Sequence, residues 1–162
     1  MRISKFFIQR ITNEGFKEAS FFGGLFFYIF LSAFVFALGE RLLFLQLALS
    51  FILTYSATLL IRFFYYKERP IKEKYTNFIE RLESSSFPSL HSMRVSAMFV
   101  IFHFYFNNFW ISTLFLTLAI AVFASRYSLK KHFLEDIMAG AIFGVVIAFL
   151  VASLPLAQMF GI

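Results

Sequence analysis

Five apolar runs, each close to the ~20 residues a helix needs to cross about 30 Å of hydrocarbon, occupy most of this chain and leave it few possible folds. They fall at Phe21–Leu38, Leu42–Tyr66, Pro88–Phe106, Phe109–Ser125 and Asp136–Phe160. Hydrophobic residues make up 60% of the 162 positions, more apolar surface than one soluble core of this length could hide, so the excess must face lipid. The expected fold is all-α: an integral membrane bundle of about five transmembrane helices. An amphipathic segment precedes it at residues 1–19, where Arg2, Lys5, Arg10 and Lys17 alternate with Phe6, Phe7, Ile8, Ile11 and Phe16, as in a helix lying in the interface. No internal repeat divides the chain, so residues 1–162 read as a single membrane-embedded domain. The first apolar run follows a polar lead and is long enough to span, so no cleavable signal peptide is expected.

The connections between runs differ in kind. Glu40–Arg41 and Asn107–Asn108 read as tight turns. The segment from Tyr66 to Phe87 is long and charged, and that from Arg126 to Glu135 is short and carries Arg126, Lys130, Lys131 and His132. Alternate crossings put the two polar connections on one side of the membrane. The formal charge of +6 therefore sits in loops, not on one face of a soluble module, which argues against nucleic acid and for anionic membrane lipids or a phosphate substrate. Cysteine is absent, which excludes disulfides, zinc–thiolate sites and thiol nucleophiles.

Three clusters lie on that side, each where a run begins or ends. Arg62 is followed after six residues by Arg69 and Pro70; Phe87-Pro88-Ser89-Leu90-His91-Ser92 opens the third run; Ser125-Arg126 is followed after five residues by His132 and, three further on, Asp136. Arginine suits bidentate contact with phosphate oxygens, and Arg62, Arg69 and Arg126 can converge. Pro88 fits the first turn of a helix, so the amides of Ser89, Leu90 and His91 would point outward as an anion cradle. His132 and Asp136 are four apart, one above the other on a helix, so the carboxylate can orient the imidazole as a nucleophile or base. His91 can supply a second proton-transfer group. Singly, each has an ordinary explanation: topology-setting or snorkelling arginines, a helix cap, a local ion pair. Their joint spacing on one face argues for a site.

The three clusters resemble the signature of the type-2 phosphatidic acid phosphatase (PAP2) superfamily: Lys-x6-Arg-Pro, Pro-Ser-Gly-His and Ser-Arg-x5-His-x3-Asp. The third part matches throughout, as Ser125, Arg126, His132 and Asp136, and the resemblance runs from Arg62 to Asp136. It implies that His132 is the nucleophile, forming a phosphohistidine, that Asp136 holds its ring, and that His91 protonates the leaving oxygen. It further implies that Arg62, Arg69, Ser89 and Arg126, with the amide of Leu90, bind the phosphoryl oxygens, and that no cofactor or metal ion is needed. The few acids near the clusters, paired with basic groups, agree with that. Arg62 replaces the pattern's lysine and keeps a cation. Leu90 replaces its glycine, which otherwise lets backbone approach an anion closely. The Pro-Ser-Leu-His form also resembles a branch that transfers lipid head groups, so transfer stands beside hydrolysis, and an inactive lipid-binding member is the third reading.

The expected substrates are phosphatidic acid, phosphatidylglycerol phosphate and polyprenyl phosphates or diphosphates. Arg94, one turn after His91, could meet substrate or snorkel. His103 reads as a packed or hydrogen-bonded histidine, Trp110, Tyr65, Tyr66 and Tyr127 as an interfacial belt, and Gly140 with Gly144 as a close helix contact within the chain. Of the 15 Lys and Arg residues only Arg41 lies on the side away from the clusters. With Arg62, Arg69 and Arg126 set aside as functional, eleven remain against one, which places the amino terminus and the site on the cytoplasmic face of a bacterial or archaeal cell membrane.

Overall fold

A computed structural model describes residues 2–161, with side chains from Thr12 onward. Among these residues all regular structure is helical, in eight helices: α1 (Arg2–Phe21), α2 (Leu25–Ala37), α3 (Arg41–Phe64), α4 (Phe78–Ser84), α5 (Leu90–Phe106), α6 (Phe109–Ser128), α7 (Leu134–Ser153) and α8 (Leu156–Phe160). The amphipathic segment expected at 1–19 coincides in backbone with α1, but its apolar and basic side chains through Ile11 lie outside the described residues.

By length and composition three helices, α3, α6 and α7, can each cross a bilayer, and the count rises to four if Thr12–Phe21 and α2 form one broken span. The helices depart from the five expected runs in three places. At the first run the helix breaks over Phe22-Gly23-Gly24 and the two parts meet at 46°, because adjacent glycines cannot hold a helix through a point of close contact. A Cβ on Gly23 would lie 3.1 Å from the His91 Cβ and 2.9 Å from Val122. The third run yields only the 17 residues of α5, ten of them buried, so α5 is the bundle's central post, with exposed apolar side chains only towards its end, at Phe104 and Phe106. The last run ends at Ser153, where Pro155 separates α7 from the short α8.

Most of the outer surface is apolar. Phe26 and Phe30 on α2, Leu60 on α3, Trp110 on α6 and Leu150 on α7 are all more than half exposed, which is the surface of a chain whose solvent is lipid. Inside, α5 packs on both α6 and α7 around Met98, Ile101, Val122 and Ala148. Gly140 and Gly144 make the α5–α7 crossing close, as their spacing predicts: a Cβ on Gly140 would sit 2.5 Å from the Ser89 carbonyl oxygen, and one on Gly144 would collide with that of Met93. This contact fixes the start of α5 against the start of α7, the two helix ends that carry His91 and Asp136.

The tight turns lie at the opposite end. Gly39 and Asn107 take left-handed backbone, Tyr105 donates to Glu40 there (2.5 Å), and Asn108 caps α6. His103 is exposed, with its Nδ1 2.8 Å from the Ser112 hydroxyl and its ring against Phe99 and Phe104, so it is both hydrogen-bonded and in ring contact.

Candidate active site

The long charged connection after α3 folds back over the bundle end and is pinned there. It contains α4, which the sequence reading did not anticipate; Asn77 caps it by accepting from the Glu80 amide at 2.9 Å. At the end of α4 only the Leu82 carbonyl is met by the cap, through the Ser85 amide at 3.4 Å, and arginines engage the last carbonyls. Arg62, from the last turn of α3, donates to the carbonyls of Leu82 (3.1 Å) and Glu83 (3.3 Å) and to that of Pro88 (2.9 Å). Arg69 donates to the Glu83 carbonyl (2.7 Å) and pairs with Glu73 at 2.5 Å, while Glu73 also holds Lys131 at 2.8 Å and so ties this connection to the loop bearing His132.

Between these loops and the helix ends lies a pocket of about 320 Å³ into which Arg62, Arg69, Arg94, Arg126, His91 and His132 project, with Leu90 and Glu83 on its wall. Residues from all three sequence clusters therefore meet in one place. Arg126, in the last turn of α6, is braced by the Ser20 hydroxyl of α1 at 2.8 Å. The Nε atoms of Arg62, Arg69, Arg94 and Arg126 are all buried without a hydrogen-bond partner. Four guanidinium groups gathered on one pocket make it suited to an anion. Leu90 and His91 begin α5, and their amides have no backbone partner among the described residues.

Two expectations about the second cluster are corrected. Pro88 precedes the helix instead of sitting in its first turn; Ser89 is the N-cap, and the Phe87–Pro88 peptide bond is cis. The Ser89 amide is not outward-facing, since it donates to the Asp136 carbonyl at 3.0 Å, and the Ser89 hydroxyl accepts from Ser92 Oγ at 2.9 Å. Ser89 is fully buried as a structural cap joining α5 to α7, and does not line the pocket.

The third cluster is also rearranged. His132 lies in the loop before α7, so the four-residue spacing to Asp136 is not a helix turn, and no direct hydrogen bond joins them. Ser86, from the serine run before Pro88, stands between. The His132 Nδ1 is 2.7 Å from the Ser86 carbonyl oxygen and 3.4 Å from its hydroxyl, while that hydroxyl makes a short hydrogen bond to Asp136 Oδ2. A carbonyl can only accept, so Nδ1 carries the proton and Nε2 keeps its lone pair, with no protein partner. Burial, followed by the positive charges of Arg126 and Arg69, pushes His132 down to about 2, so the ring is neutral at physiological pH. Asp136 is fully buried and also takes Lys67 Nζ at 2.6 Å and the Phe133 amide at 2.9 Å, an ion pair and a helix cap at once. Lys67 and Ser86 were not singled out from sequence.

This fold and these clusters belong together in a known family. A family model described as the PAP2 superfamily matches residues 42–160, and the chain belongs to it. Its fold is similar to that of LpxE from Aquifex aeolicus (TM-score 0.75, 18% identity, covering 89% of this chain and 87% of that one). It is also similar to that of a transmembrane PAP2 type phosphatidylglycerolphosphate phosphatase from Bacillus subtilis (TM-score 0.70, 23% identity, 87% and 75%). No curated protein matches by sequence.

Proposed function

We propose that this protein is a lipid phosphatase that removes a terminal phosphate through a phosphohistidine on His132, without a metal ion. The observation that carries the reading is the pocket itself: a neutral histidine with one unpartnered ring nitrogen, among four arginines that line the same cavity. Nε2 of His132 attacks the phosphorus, and charge on the equatorial oxygens is met by Arg62, Arg69 and Arg126 with the amides of Leu90 and His91. His91 protonates the leaving oxygen and then assists water in cleaving the P–N bond. Asp136 acts through Ser86 and Lys67, holding the loop that aims the ring. Metal independence is supported by the donor set, since no three His, Asp or Glu groups converge among the described residues. The lipid character of the substrate is supported by membership of the superfamily, by the apolar outer surface, and by the lipid phosphatase named for the similar Bacillus subtilis structure. In this reading the chain crosses the membrane five times, with α2, α3, α5, α6 and α7.

The test is phosphate release by the purified protein from phosphatidic acid, phosphatidylglycerol phosphate, and polyprenyl phosphate and diphosphate, with and without EDTA. Release from at least one, unchanged by EDTA, is expected. Release from none, or loss in EDTA that magnesium restores, would contradict the proposal.

A further inference from the structure

Four arginines reach the pocket, and one of them has no counterpart in the three clusters. Arg62 is held by three carbonyls, Arg69 by Glu73 and a carbonyl, and Arg126 by Ser20. Among the described residues Arg94 has no hydrogen bond and no ion pair, although it is only 4% exposed. Its guanidinium carbon lies 5.0 Å from the Phe51 centroid, and Tyr28 and Tyr55 stand near its charge. A guanidinium that lines the pocket with no carboxylate or carbonyl to hold it is placed to be completed by an anion that binds there. Snorkelling does not account for it, because its head is buried.

Its position says which part of a substrate it would meet. Arg94 follows His91 by three residues on α5, so both point the same way one turn apart, with Arg94 further into the bundle. Phe51, beneath Arg94, also lines an apolar groove of about 290 Å³ between α2 and α3, walled by Tyr28, Ile29, Phe44 and Ile52. Arg94 therefore stands beyond His91 on the side of the pocket that runs into the bundle past Tyr55 and Thr58, where the leaving part of a lipid substrate would lie. Arg62, Arg94 and Arg126 are the pocket arginines without a salt-bridged carboxylate, and a fully ionised lipid diphosphate carries as many negative charges.

We infer that Arg94 is a specificity-determining residue that binds a second phosphate, the one left on the lipid, so that the substrate is a lipid diphosphate. This rests on the phosphohistidine reading above. Nε2 of His132 bonds to the terminal phosphorus while that phosphorus loses its bond to the bridging oxygen. The electron pair departs with that oxygen, which becomes part of the lipid monophosphate held by Arg94 and accepts a proton from His91. Water then cleaves the P–N bond to release inorganic phosphate and restore His132.

The experiment compares farnesyl diphosphate with farnesyl monophosphate in mixed micelles, so that the chain is constant and only the second phosphate varies, with phosphatidic acid as a third substrate. Wild-type protein should favour the diphosphate at least tenfold in kcat/KM. Arg94→Gln should lower that ratio at least tenfold, chiefly through KM, and Arg94→Lys should recover part of it. Inhibition of the wild type adds a measurement independent of how the variants fold: farnesyl methylenediphosphonate should inhibit at least tenfold more tightly than a farnesyl phosphonate. Equal inhibition by the two, or a parallel fall on both farnesyl substrates in Arg94→Gln, overturns the second-phosphate site. Hydrolysis of phosphatidic acid alone overturns it while leaving the lipid phosphatase reading intact, whereas no hydrolysis of any of the three overturns both.

Discussion

Ser86 changes what the histidine and aspartate of the third cluster mean. From sequence, His132 and Asp136 suggest a pair on one helix face; in the fold the ring is oriented by a backbone carbonyl, and the carboxylate reaches it only through the Ser86 hydroxyl. That link was not legible because Ser86 sits in a serine run that reads as ordinary loop, and the contact arises only when the loop crosses the start of α7. The meeting of His91, Arg62, Arg69 and Arg126 at one pocket was easier to anticipate, since all four open, end or follow helices on the same side of the bundle. The depressed His132 has a measurable consequence. An ordinary histidine, at about 6.5, takes a proton as pH falls below 7, as this one does in the unfolded chain, whereas in the folded protein it stays neutral until near 2. Stability should accordingly decline as pH falls below about 6.5, because the unfolded chain binds a proton that the folded one refuses. Nitrogen-15 spectra of histidine-labelled protein in micelles should show the His132 signal as a neutral Nδ1–H tautomer throughout pH 8 to 4.5. A midpoint between 6 and 7 at this residue would contradict the account.

At the scale of elements, hydropathy located α3, α5, α6 and the start of α7 to within three residues, but ran past the end of α7 and was blind to bends and breaks. A running apolar pattern continues through Gly23-Gly24 without interruption, since glycine costs little hydropathy, yet the pair ends α1 and starts α2 where His91 and Val122 press closest. The adjacent glycines were the available signal. The same holds for α4: Asn77 followed three residues later by Glu80 is a helix-start signature, hidden inside a segment whose charge suggested only a loop. α4 matters because its terminal carbonyls engage Arg62 and Arg69, which holds both guanidinium groups at the pocket wall before any anion arrives. The close crossing at Gly140 and Gly144, by contrast, was readable from spacing alone, because two small residues four apart on an apolar helix have few other uses.

For the whole molecule, the fold gathers polar chemistry at one end of an apolar bundle, and the charge distribution then bears on which compartment that end faces. We propose the cytoplasmic face, on the excess of Lys and Arg beside the site. Cysteines placed singly at Lys74 and Asn107 of this cysteine-free chain test it: an impermeant thiol reagent on intact cells should label position 107 and spare 74, and the reverse pattern would show the site facing outward. The central claim, that His132 is the attacking atom's residue, is tested most directly by trapping the intermediate. Purified protein mixed with a lipid substrate labelled in its terminal phosphate, and quenched in alkali, should carry acid-labile label on His132. His91→Ala should still form that label from a substrate with a good leaving group, and His132→Ala should form none and lose all turnover while remaining folded. Multiple turnover by His132→Ala at the wild-type rate, or label on any other residue, would contradict the account.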